Sequence, residues 1–152
     1  MPLYTPQQLK KALVSAGFQV FRTLGEEIVL AERVRENLIM DSGVRLRASD
    51  PLQVRVIFRA QRGHFPGEDD DHLFARARKL AAAANERGFA EISSAASPVV
   101  DPSDAERTLD TFFEIVLAKD AESLEIAVDG LRFALSLERN CETQAGAVHS
   151  HH

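Results

Sequence analysis

Leu109 to Arg139 constrains the fold more than any other stretch of this 152-residue chain. It reads as an apolar strand, a corner at Lys119-Asp120 and one long helix. In Leu109–Ala118, Leu109, Thr111, Phe113, Ile115 and Leu117 share one face by the two-residue period of a strand. The other face mixes Asp110 and Glu114 with Phe112 and Val116, so it is only partly covered. Asp120 is the expected N-cap, because its carboxylate can accept from the free amides of the next turn. From there Glu122, Glu125, Asp129, Arg132, Ser136 and Arg139 recur at three and four and form one polar stripe. Leu124, Ile126, Ala127, Val128, Leu131, Phe133, Leu135 and Leu137 fill most of the remaining circumference. A helix that covers one sheet needs an apolar arc of only about 100°. This arc is wider. Either the helix lies deep in its own fold, or one side covers the sheet and the other a partner.

The rest of the chain has few takers for that apolar excess. Thr5 and Pro6 open a first helix whose stripe, Leu9, Leu13 and Ala16, is thin and ends at Gly17. Phe18–Leu24 and Glu27–Val34 form a hairpin around Gly25-Glu26. Asn37–Met40 is a short apolar piece, Asp41-Ser-Gly43 a turn, and Val44–Ala48 a strand. Leu52–Gln61 alternates most strictly, with Leu52, Val54, Val56, Phe58 and Ala60 inward. Glu68-Asp-Asp-Asp71 opens a second helix that runs to Arg87-Gly88, and Phe89–Ile92 and Val99-Val100 read as short strands in a loosely punctuated region. The order α-β-β-β(-β)-α-β-β-α, with antiparallel strands and flanking helices, is that of an α+β protein. One domain, residues 1–139, is expected, followed by a polar, disordered tail, 140–152.

Composition narrows the function classes. No apolar run approaches the roughly 20 residues of a membrane span, and the N-terminus lacks the basic start and apolar core of a signal peptide. Cys141 is the only cysteine, so neither an intramolecular disulfide nor a cysteine-based metal cluster is expected. A cytoplasmic location follows. Residues 1–64 carry ten basic and six acidic side chains, residues 65–152 eight and seventeen. Such asymmetry suits a polyanion site in the first half, or two halves or two subunits that pack together.

Candidate chemistry is sparse. Glu68-Asp-Asp-Asp71 with His64 and His72 is the densest ligand-like cluster. Four acids in one helical turn splay around the axis, and acids at a helix start already suit the dipole. No metal or other cofactor is expected. His149-Ser-His-His152 resembles a tag remnant or a flexible tail. Cys141 has no oriented base nearby in sequence, and no phosphate loop, nucleophile elbow or dinucleotide fingerprint is present. No catalytic residue can be named, and no enzyme is expected. The remaining feature is Arg45, Arg47, Arg55 and Arg59, which share the outward faces of two adjacent strands with Ile57. Arginine pairs well with phosphate or carboxylate. A solvated sheet face, an acidic protein segment and single-stranded nucleic acid all fit. The last also wants stacking aromatics.

The element order resembles that of the YbjN family and the related type III secretion chaperones. The likeness is most specific in the alanine-rich helix His72–Gly88 leading into Gly88-Phe-Ala-Glu-Ile-Ser93, then the strand Thr111–Leu117 and a closing helix that starts Ala121-Glu-Ser-Leu-Glu-Ile. The resemblance implies a small, non-enzymatic, often dimeric protein that binds a client protein, in some members within stress responses. The expectation is a homodimer with Ile126, Phe133 and Leu137 at the subunit interface. Arg45, Arg47, Arg55, Ile57 and Arg59 would form the client surface, with single-stranded nucleic acid on that arginine face as the alternative.

Overall fold

The computed structural model describes residues 4–141. The end of the expected tail, with His149-Ser-His-His152, lies outside the described residues. Thr5 caps α1 (Pro6–Ser15): its hydroxyl accepts from the Gln8 amide, and the Gln8 side chain accepts from the Thr5 amide. Leu9 and Leu13, one turn apart, are fully buried. β1 (Val20–Leu24) and β2 (Glu27–Arg35) then form the expected hairpin, closed at Gly25 with φ 58°.

β3 (Leu38–Arg47) departs from expectation. The Asp41-Ser-Gly43 turn does not separate two strands; it is a bulge inside one. Val29 pairs with Arg45 and Ala31 with Asp41, so two steps along β2 match four along β3. Ser42 and Gly43 are the excess. The buried Ser42 hydroxyl donates to the Leu30 carbonyl at 2.7 Å and accepts from the Val44 amide at 3.0 Å. The turn chemistry is present, but a continuous partner strand converts it into a bulge. β4 (Leu52–Gln61) alternates without exception between buried and half-buried residues.

The helix expected from Glu68 to Arg87 is divided into α2 (Asp70–Leu80) and α3 (Ala82–Glu86). The Ala81 amide is shared between the Ala77 and Arg78 carbonyls, a tightened last turn that ends α2. β5 (Ala90–Asp101) and β6 (Asp104–Ala121) are both longer than expected. The two short pieces around Ser93–Ser97 fuse into one strand, because pairing with β6 overrides the weak strand preference of serine and alanine. In β6, Phe113, Ile115 and Leu117 are buried as the alternation requires, while Leu109 is 53 % exposed. β6 also passes through Lys119-Asp120 to the buried Ala121. The helix therefore starts later, and Ser123 rather than Asp120 caps α4 (Leu124–Ser136), its hydroxyl accepting from the Ile126 amide at 3.2 Å.

The strands form one antiparallel sheet in the order β1-β2-β3-β4-β6-β5, with helices flanking it: an α+β fold. The described residues divide into two compact units. The first lies within Met1–Val56, Gly88–Ala90 and Ala118–Leu137. In it α4 packs so closely that a Cβ on Gly130 would stand 3.3 Å from Val54 Cγ2. The second lies within Ile57–Arg87, Glu91–Leu117 and Glu138–His152. Its core gathers Ala60, Phe65, Leu73 and Phe113, with Phe74 set edge-on to Phe113 at 5.1 Å. Asn140 and Cys141, expected in the tail, are held there: the Arg59 amide donates to the Arg139 carbonyl and the Cys141 amide to the Arg59 carbonyl, both at 3.0 Å. Arg139 itself is buried, because the helix that would have placed it on the polar stripe ends at Ser136. Among the described residues, no helix is long and apolar enough to cross a membrane.

Candidate functional site

In the first unit, Arg45, Arg47 and Arg55 gather on one sheet face as the alternation of β3 and β4 requires. Arg45 stands directly opposite Arg55 in the ladder, a like-charge pairing that would be unfavourable alone. Glu27 of β2 resolves it. Its carboxylate takes Arg55 at 3.2 Å and Arg45 and Arg47 at 3.9 Å each. Asp41 takes Arg45 at 3.1 Å, and Glu26 takes Arg47 at 3.5 Å. Arg55 Nε also donates to Gln53, whose amide donates in turn to Asp120. Three guanidinium groups are thus met by three carboxylates. The face is a charge network rather than a bare cationic patch. Arg45 Nε is buried without a hydrogen-bond partner among the described residues.

The other two predicted surface residues, Ile57 and Arg59, belong to the second unit. Both are half-buried. Arg59 pairs with Glu114 at 2.8 Å and lies over the Phe112 ring at 5.3 Å. It borders a cleft of about 270 Å³ with Gln61, His64, Phe112, Asn140 and Cys141. Gln61 donates to Asp110 at 2.5 Å, and the Gly63 and Thr111 amides donate to the same carboxylate at 2.9 and 2.7 Å. Burial would raise the Asp110 pKa; these donors outweigh it and hold the group below the ordinary carboxylate value. The cleft was invisible in sequence because Arg59, Phe112 and Cys141 are distant along the chain.

The acidic run at the start of α2 is committed to local contacts. Glu68 receives both Nε and Nη2 of Arg76, at 2.7 and 2.6 Å, which lowers its pKa. Asp69 caps the helix through the His72 amide and bonds the His72 ring at 2.7 Å; the ring's pKa is raised by that bond. Asp70 pairs with Arg62.

The residues expected at a subunit interface fare unevenly. Ile126 is 49 % exposed. Phe133 and Leu137 are half-buried, and the Phe133 ring sits 6.2 Å from Phe89 of its own chain. Part of the wide apolar arc of α4 is therefore covered internally.

What the sequence reading missed is the far edge of the sheet. β5 is a terminal strand, and nearly every residue from Ala90 to Val100 is exposed, Ser97 being half-buried. Ile92, Val99 and Val100 are 48, 38 and 45 % exposed. Ile92–Val100 contains no charged residue. At its start, Glu91 accepts from Arg78 at 2.9 and 3.1 Å, which lowers the Glu91 pKa. The uncharged run was the available signal, obscured by its serines and alanines. β1, the opposite terminal strand, exposes Phe21 and Leu24 at 40 and 43 %. No protein-family model, curated protein or solved structure matches the chain.

Proposed function

We propose that this chain is a homodimeric, non-enzymatic module that binds an extended segment of another protein by adding it to its sheet. One observation carries the reading: both terminal strands, β1 and β5, are exposed along their length and carry apolar side chains. A terminal strand presents unpaired amides and carbonyls, so main-chain hydrogen bonds supply affinity and alternate side chains supply selectivity. The resemblance to the YbjN family and type III secretion chaperones rests on the element order of the sequence. With that resemblance come a client-holding role in a stress response and a cytoplasmic location. We assign the client to the β1 edge and the sheet face bearing Arg45, Arg47 and Arg55. The ion pairs to Glu26, Glu27 and Asp41 weaken the single-stranded nucleic-acid alternative, since phosphates would compete with carboxylates already in place.

The test compares the parent chain with a Phe21→Lys/Leu24→Lys variant. Proteins captured from cell extract are identified by mass spectrometry, and a synthetic peptide from the main one is titrated against both chains. The expected result is binding to the parent that falls at least tenfold in the variant, about 1.4 kcal/mol. Unchanged binding would sink the β1 assignment. Binding of a single-stranded homopolymer that weakens steeply with salt would favour the nucleic-acid alternative instead.

A further inference from the structure

We infer that β5 is where two copies of this chain meet, pairing antiparallel about a two-fold axis at Ser94. The inference rests on the homodimeric reading above and names its strand and register. Pro98 lies within β5 and has no amide hydrogen. In a terminal strand, proline is accommodated where its nitrogen points away from the neighbouring strand. Pro98 thus sets the parity of the edge. By the two-residue period, the backbone groups of Ile92, Ser94 and Ala96 also point outward. These three positions are symmetric about Ser94. In the antiparallel self-pair Ile92 faces Ala96, Ser94 faces its own copy, and the outward donors from Ala90 to Ala96 each meet an outward acceptor. Pro98 faces Ala90, the first residue of β5, so the missing donor falls at the end of the ladder.

Charge favours a second copy as the occupant. Exposed edge strands of solitary proteins usually carry charges that repel other chains, yet Ile92–Val100 has none. In this register Glu91 faces Ser97, and Asp101 falls beyond the start of the other copy's β5. Ser97 donates to Glu114 at 2.9 Å, but Glu91 and Glu114 are each paired with an arginine of their own chain, Arg78 and Arg59, so their approach lacks the unscreened like-charge contact that would oppose pairing. Ser93, Ser94, Ala95 and Ala96 are small enough for close approach. A two-fold axis requires each surface to complement itself, and the sequence around Ser94 does. β1 remains open to a client.

The test is a crosslink in the full chain carrying Cys141→Ser. Directly opposed residues of a hydrogen-bonded antiparallel pair have Cα atoms about 5.5 Å apart, within the span of a disulfide. On mild oxidation at micromolar concentration, Ser94→Cys is expected to give a disulfide dimer, and Ile92→Cys is not. Light scattering should give twice 16.8 kDa for the parent chain and a monomer for Ser94→Pro, whose altered amide faces away from β6. If Ser94→Pro misfolds, the crosslink decides. A parent that scatters as a monomer overturns the inference. So does a dimer that Ser94→Cys fails to crosslink, or that Ile126→Glu dissociates while Ser94→Pro does not. Client capture by a monomeric parent would overturn the register at Ser94 and leave the client-binding role at β1 standing.

Discussion

At the scale of single residues, two carboxylates show how much a side chain's role depends on its neighbours. Glu27 is an ordinary strand residue in sequence, yet it is the shared counter-ion of Arg45, Arg47 and Arg55. The arginine face was legible because period two places it. Glu27 was not, because the bulge at Ser42-Gly43 sets which β2 residue meets which β3 residue. Asp110 gathers three donors that come from residues 61, 63 and 111. Its pKa lies below the ordinary value of about 3.9. The stability it contributes is therefore fully present above that value and is lost as pH falls through its own lower one. Asp110→Asn is expected to cost about 1–2 kcal/mol at neutral pH and to flatten the loss of stability on acidification. Urea midpoints measured from pH 7 downward check both; equal acid slopes for the two chains would count against the assignment.

At the scale of elements, strand and helix identities followed from periodicity, and their ends did not. β4 matched its alternation at every position; β3 pairs with it at Gln53–Val56, and Asn140 bridges to it at Arg59. β3, β5 and β6 ran past the expected breaks, since a paired strand can absorb a glycine or a run of serines that would stop an isolated one. α4 began three residues late for the same reason: Ala121 stays on the sheet. At Gly130 α4 lies against β4, with 3.3 Å to Val54 Cγ2 for any added Cβ. Gly130→Leu is expected to overfill that contact and cost about 1–3 kcal/mol, although leucine favours a helix over glycine. Thermal unfolding would show it, and a rise in melting temperature would refute close packing there.

At the scale of the whole molecule, the width of the apolar arc on α4 raised the expectation of a partner. The structure divides that arc. Ala127, Leu131 and Ala134 are buried, Phe133 leans on Phe89, and Ile126 stays exposed. Ile126→Glu should therefore shift stability by no more than about 0.5 kcal/mol, whereas Phe133→Glu should cost about 2 kcal/mol. Chemical denaturation of both variants tests this. A Phe133→Glu chain of parental stability that scatters as a monomer would restore α4 as the subunit interface.

Alternation and helical spacing were enough to establish the α+β class and the inward faces of β4 and of Phe113–Leu117 in β6, because burial acts on side chains in their local period. Where Leu109–Arg139 bends, which carboxylate serves three arginines, and which edge stays uncovered depended on strands meeting across the chain. Hydrogen-bond ladders between distant segments make those choices, and no local pattern encodes them. β5 is the clearest case: its residues are weak strand formers that become a strand through β6, and that pairing leaves their other edge open.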